Sequence, residues 1–429
     1  MDLVAHPRRG RPAAVPRRGA DGLGREFRRF ACAQAASLTG TAMAGVALAF
    51  AVLATGRGGA GLGMVLAARM VPLVLMLLVG GTAADRFGSR RVMLGADLLR
   101  CVAQAAFGLL VLSGSRALAP MLVLAALAGV GEAGFGPGQS ALVPGLVRAD
   151  LLVRANATLA MLRSAATVLG PVLAGGVLAW AGRSDRVGPA AVLLTDAVTF
   201  ALSALALRRL VLPEPVRAGS TETFLAELRA GWGEFRTRNW LWTTTLHMAL
   251  FNLLVWAPYL VLGPLLAARD LGGAGAWGAI MGCYGAGALL GAVVVHARRP
   301  ARPLPTAVLT TTLFAAAPAT LALGLPLVAV CGGAVVSGVA SSACGTLFAA
   351  VNQRRIPPAL RGRLSAYGSV GSFGLGPLGL VAAGPVAAVV GARRELALGV
   401  VWLLAAAALV ATLPAVHAKG VDDGERQPA

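Results

Sequence analysis

Charge is what this chain has least of. Of 429 residues, 13% are Asp, Glu, Lys or Arg, against about 25% in an ordinary soluble domain. With 57% of the residues hydrophobic, a water-soluble fold of this size could not hide its apolar side chains. Disorder is excluded by the same shortage, because disordered chains are poor in apolar residues and rich in charge. The five cysteines, Cys32, Cys101, Cys283, Cys331 and Cys344, form no C-x-x-C pair and no zinc spacing, so they read as small buried hydrophobes. The four histidines are scattered, which leaves no metal site. No phosphate-binding G-x-x-x-x-G-K-[ST] loop occurs, so ATP-driven pumping by this chain is excluded. The first 29 residues are Arg-rich and polar, unlike a signal peptide. No collagen-like period runs through the 56 glycines.

Long hydrophobic runs are abundant instead. They fall near residues 30–54, 61–83, 92–113, 118–141, 157–181, 188–207, 241–267, 275–296, 305–324, 326–350, 364–391 and 395–416. A spanning helix needs about 20 apolar residues, and each of these twelve runs is long enough. Strand-length alternation is missing, and only helices or closed barrels cross lipid. The expected fold is an all-α polytopic membrane protein.

Basic residues set the orientation. With the amino terminus taken as cytoplasmic, the segments on its side hold 28 Lys and Arg, the opposite side holds 7, and Arg69, Arg100 and Arg163 fall within spans. The net charge of +20 therefore marks one membrane face, not nucleic acid. Both termini are expected in the cytoplasm, with the chain in the plasma (inner) membrane. The expected order is a tail (1–29), a six-helix bundle (30–207), a cytoplasmic linker (208–240), a second six-helix bundle (241–416) and a tail (417–429). Phe224, Leu225, Leu228, Trp232 and Phe235 recur at helical spacing within the linker, which predicts an amphipathic helix on the membrane face.

The halves carry matching marks. Pro144 to Arg148 precedes the fifth span and Pro357 to Arg361 the eleventh; Leu169-Gly170-Pro171 lies in the fifth and Leu375-Gly376-Pro377 in the eleventh. Their order supports a duplicated six-helix unit. Between spans two and three stands Gly81-Thr-Ala-Ala-Asp85-Arg86-Phe-Gly88-Ser89-Arg90-Arg91. Glycines permit a tight turn there, and the arginines suit anionic headgroups. This frame, with twelve spans and a central loop, resembles the major facilitator superfamily, although Ser89 replaces one of its basic residues. Ala141 to Pro144, Arg154-Ala-Asn156 and Gly170-Pro171 to Gly175 resemble the branch of enterobactin exporters and macrolide efflux proteins. Two departures stand out. The Arg of the drug/proton antiporter motif would align near Ala125, and Ala174 takes the place of a glycine in Gly-Pro-x-x-Gly-Gly.

The resemblance implies two pseudo-symmetric bundles, alternating access and a conformational switch in the loop of Gly81, Asp85, Arg86, Gly88, Arg90 and Arg91. It implies helix bends at Gly170, Pro171, Gly175, Gly376 and Pro377. Intramembrane carboxylates are the proton-coupling candidates: Glu132, Asp97 and Asp196. Asp97 and Arg100 stand at i, i+3, the spacing of an ion pair, and Arg163 is the cation weighed against Glu132. Gln34, Thr39, Thr41, His247, Asn252 and Asn352 are candidates for the substrate cavity. Gly129-Val-Gly131-Glu-Ala-Gly134 matches a dinucleotide pattern but lies inside a span, where it reads as helix packing.

A membrane enzyme would need clustered His, Asp or Glu, and a sensor would usually add an extramembrane domain; neither is evident. The expected function is secondary transport of an amphipathic small molecule, outward and by proton antiport, with coupled uptake as the alternative. Energy would come from the proton gradient without a cofactor, in a monomer whose partners are lipid and substrate. Single cysteines placed at Ser115 and Ser220 in a Cys-free background are expected to label from opposite membrane faces. Labelling of both from outside would overturn the orientation.

Overall fold

The computed structural model describes residues 23–77, 88–181, 186–210, 232–297, 300 and 302–414. Among them every regular element is helical, and eleven helices are long and apolar enough to cross a membrane. The first of these, Arg25–Met76, consists of two rods, α1 (Arg25–Val52) and α2 (Gly58–Leu77). They meet at a wide turn where Gly56 has φ 81° and Gly58 φ 55°, values only glycine adopts freely. Counting the rods separately agrees with twelve segments. The others are α3 (Ser89–Leu112), α4 (Leu118–Leu146), α5 (Leu152–Trp180) and α6 (Val187–Arg209). The second half holds α7 (Asn239–Asp270), α8 (Ala274–Ala297), α9 (Pro303–Ala322) and α10 (Leu327–Arg355). It closes with α11 (Pro358–Gly374, resumed as Gly376–Val390) and α12 (Ala392–Thr412).

Several helices start before their apolar runs. α1 begins at Arg25 inside the expected tail, and α7 at Asn239 inside the expected linker. Hydropathy marks the lipid-buried length, whereas the backbone ladder continues into the headgroup layer, where long basic side chains keep their heads in water. The narrow break between the ninth and tenth runs is present: Gly324, with φ 67°, follows α9 and Pro326 caps α10. Residues 232–237 form a short helix whose Trp232 and Phe235 rings pack on Tyr367 of α11 at 5.8 and 6.0 Å. The remainder of the expected amphipathic helix lies outside the described residues.

α1 packs on α5 and α6, α3 on α4 and α6, and α2 on α4. In the second half α10 packs on α8 and α9, and α7 on α11. Most of the contact between the halves comes from two pairs, α5 with α8 and α2 with α11. Both seams depend on glycine. A Cβ at Gly278 would meet the Pro171 carbonyl oxygen at 2.5 Å, and one at Gly59 would meet Gly384 Cα at 3.3 Å. Pro171 has no N–H to give the Thr167 carbonyl, and that carbonyl faces Gly285, where a Cβ would come within 2.7 Å. α5 nevertheless runs unbroken through Gly170 and Pro171, while α11 divides at Leu375, just before Gly376 and Pro377.

These contacts run from the helix ends remote from the chain termini to the middle of each seam. On the terminus-bearing side, Val153 and Met161 of α5 and Leu290 and Val293 of α8 are exposed. The bundles are closed on the far side and apart on the near side. A Cβ at Gly275 would lie 3.7 Å from Ala179 Cβ, within the span of a disulfide, about 3.5–4.5 Å. With a protease site in the 208–240 loop, Ala179→Cys with Gly275→Cys is expected to cross-link the two fragments under mild oxidation. Val153→Cys with Val293→Cys is expected not to; the reverse result would place the opening on the other side.

Candidate functional site

The loop between α2 and α3 is described only at its end. Gly88 takes φ 84°, which frees its carbonyl to accept from the amides of Arg91 and Val92 as α3 begins. Arg90 donates to the Arg208 carbonyl oxygen in the last turn of α6, a cation meeting the negative end of a helix. Gly81, Asp85 and Arg86 lie outside the described residues.

A layer of charge crosses the middle of the first bundle. Glu132 Oε2 accepts from Arg69 Nε at 3.0 Å and Nη2 at 2.9 Å. This partner, on α2, corrects the expected alternative of Arg163, which is exposed on α5 and makes no ion pair among the described residues. Packing decides the partner. Gly129, one turn before Glu132, is where α4 comes against the Arg69 backbone, and its missing side chain lets the two helices meet. Gly131 faces Arg100 and the Ala96 carbonyl, and Gly134 faces Val92. The glycine pattern thus works as helix packing. The expected Asp97–Arg100 pair is present and buried, with the guanidinium carbon 4.6 and 4.3 Å from the Phe135 and Phe200 ring centres. Asp196 is buried without an ion pair among the described residues; Thr199 Oγ1 lies 3.3 Å from its Oδ1. It feels both Arg69 and Arg100 across the layer.

Three carboxylates therefore meet two guanidiniums, and they differ in access. Glu132 and Arg69 keep 35% and 23% of their side-chain surfaces exposed, whereas Asp97 keeps none. Among the carboxylates of this layer, Glu132 is the one whose side chain is partly exposed.

The second bundle holds a cavity of about 460 Å³ between α7, α8, α9, α10 and α11. Asn252 and Asn352 line it with Phe251, Trp256, Tyr284, Phe314 and a row of Ser and Thr hydroxyls. Among the described residues, no charged side chain lines it. His247 lies behind the wall: Thr311 spends its proton on the Val308 carbonyl at 2.6 Å, so its oxygen accepts from His247 Nε2 at 3.2 Å. Gln34, Thr39 and Thr41 are on α1 in the other bundle and do not line this cavity. Sequence reasoning missed Phe314 and Thr311 of α9, because nothing in an apolar run tells which residue faces a void.

Residues 30–380 match the family model described as Major Facilitator Superfamily. The multidrug efflux pump Tap of Mycobacterium tuberculosis is 31% identical over 341 residues, covering 75% of this chain and 78% of that protein. Tap of Mycolicibacterium fortuitum is 28% identical over 356 residues, 78% and 82% of the two chains. Among solved structures, the nucleoside transporter NupG superposes with TM-score 0.70 at 12% identity, covering 90% of this chain and 98% of that one. An inward-facing bacterial homologue of the iron transporter ferroportin gives 0.69 at 17%, covering 92% and 100%.

The buried pair has a stability consequence. Asp97→Asn leaves the Arg100 charge unmatched, and breaking a buried pair costs about 3–5 kcal/mol. Asp97→Asn is expected to lower the melting temperature of the purified protein sharply. Asp97→Leu combined with Arg100→Met is expected to recover most of the loss, as read by thermal-shift size-exclusion chromatography.

Proposed function

The chain belongs to the Major Facilitator Superfamily, and from that premise we propose that it is a secondary exporter of amphipathic small molecules working by proton antiport. The observation that carries the reading is the 31% identity to the multidrug efflux pump Tap over three quarters of the chain. The likenesses to nucleoside and iron transporters lie far below that identity and bear on the fold alone. In this reading the membrane is the plasma membrane, both termini are cytoplasmic and the described state opens to the cytoplasm. The monomer needs no partner beyond lipid and substrate, and no cofactor beyond the proton gradient.

Coupling is assigned to the Glu132–Arg69 pair. A carrier carboxylate must meet water on one side, take a proton and give it up on the other. Glu132 has that access, and Asp97 and Asp196 are sealed. A proton on Glu132 releases Arg69, and the freed guanidinium alters the seam on which the bundles rock, since α2 carries Arg69 and also packs on α11. Substrate and proton then compete for this region. Asp85, in the segment between α2 and α3, acts as the switch of the loop.

Glu132→Gln keeps the shape and removes titration. Because Arg69 is partly exposed, its charge stays hydrated and the variant is expected to fold. In energised everted vesicles given a panel of amphipathic drugs, it is expected to lose uphill accumulation, at least tenfold, while keeping downhill exchange. Normal proton-driven accumulation would remove Glu132 as carrier and shift the role to Asp196.

A further inference from the structure

Resting on the export reading, we propose that the cavity of the second bundle is a subsite for the uncharged, fused-ring part of the substrate, seated against Phe314 and hydrogen-bonded by Asn352. The cavity lies within one bundle and reaches back to α9, away from the charge layer of the other. Its volume of about 460 Å³ is that of a site for a drug-sized molecule, about 300–1,000 Å³.

The wall is built for rings. Phe314 meets Phe251 edge-on at 4.8 Å and 84°, Trp256 at 5.3 Å and 69°, and Tyr284 at 6.2 Å and 79°. Such T-shaped contacts are the favoured arrangement of aromatic pairs. Phe314 is also held from behind. It sits where α9 breaks between Leu313 and Ala316, and Ser337 Oγ donates to its carbonyl at 2.8 Å and accepts from Ala317 N at 3.0 Å. The broken helix thus leaves no loose backbone around the ring. On the opposite side, α7 takes a π-helical turn over Asn252–Trp256, a distortion frequent at functional sites. Asn252 donates from that turn to the Ser372 carbonyl of α11 at 3.1 Å, tying two walls together.

Two further observations point to a ligand. Asn352 lines the cavity, and its Oδ1 is buried with no hydrogen-bond partner; a buried acceptor left bare is costly, and a turn of the amide toward the cavity would let a hydroxyl or N–H on a ligand satisfy it. Gly345 lines the same space, and a Cβ there would meet nothing within 4 Å. The ligand's charge follows from the lining. An organic cation entering here would lose its water and find no carboxylate, and attraction to aromatic rings is smaller than that loss. A neutral ring system loses only apolar hydration, which favours entry.

Nile red and Nile blue test the charge rule, since they share a fused-ring skeleton and Nile blue is the cation, with an amino group where neutral Nile red has a carbonyl. The full chain, purified in detergent, is titrated with each dye and the emission rise recorded. Wild type is expected to bind Nile red at least tenfold tighter than Nile blue; equal or reversed affinities overturn the uncharged subsite. Gly345→Leu starts from a Cβ with nothing within 4 Å and brings a gain in helix propensity; it is expected to weaken Nile red at least tenfold, as is Ser341→Leu, a second plug should the first misfold. 2-Hydroxy-Nile red, which adds a hydroxyl donor, is expected to bind threefold to tenfold tighter than Nile red to wild type and equally to Asn352→Leu; an advantage kept in Asn352→Leu removes Asn352 from the site. Export by wild type together with undiminished Nile red binding in both plugged variants overturns the subsite and leaves the export reading standing. Nile red binding lost in the plugs, in a protein that moves no compound across vesicles, removes the export reading and supports the subsite.

Discussion

Backbone-to-backbone approach across the two seams is the constraint on which the rest of the molecule depends. Inside lipid a carbonyl without a donor has no water to turn to. Pro171 creates such a carbonyl at Thr167, and α8 meets it with Gly285, so the seam packs and shields in one contact. A side chain at Gly278 would force α5 and α8 apart, as one at Gly59 would separate α2 from Gly384. Among the described residues, these positions span the far ends and the middle of both pairs, and no further. The separation on the near side, and the reach of the cavity lining to Leu241, Asn352 and Leu364 near that face, follow from where the glycines stop.

The two bundles share a helical plan and differ in chemistry. The first keeps two guanidiniums and three carboxylates in its middle, with Asp97, Arg100 and Asp196 buried and Glu132 and Arg69 partly exposed. The second places hydroxyls, amides and aromatic rings at comparable depth. All three tyrosines of the chain, Tyr259, Tyr284 and Tyr367, lie in the second bundle. A molecule between the halves would meet charge on one side and rings on the other, and that asymmetry suits an amphipathic substrate. α2 belongs to the charge layer and to the seam at once.

Much of the fold was legible in the residues because the bilayer imposes a single length rule. Twelve apolar runs, the Gly324–Pro326 break and the Asp97–Arg100 pair all follow from spacing along one chain, and each is present. Helix starts were less legible, since α1 and α7 extend past the apolar residues that reveal them. The reading of Gly129 to Gly134 as packing needed only its place inside a span.

Side chains that meet across helices were another matter. The sequence by itself determined the class of fold, the family and the presence of charges within apolar runs. Each of these follows from the cost of placing a residue type in lipid, which is local. Tertiary structure alone decided that Glu132 pairs with Arg69, 63 residues away, and leaves Arg163 exposed. It alone decided that Phe314 and Thr311 face a void while His247 stands behind it. Helical periodicity places residues on a face of their own helix. Which neighbour that face meets depends on where glycines let two backbones touch, and this is a property of pairs of helices, written in neither one alone.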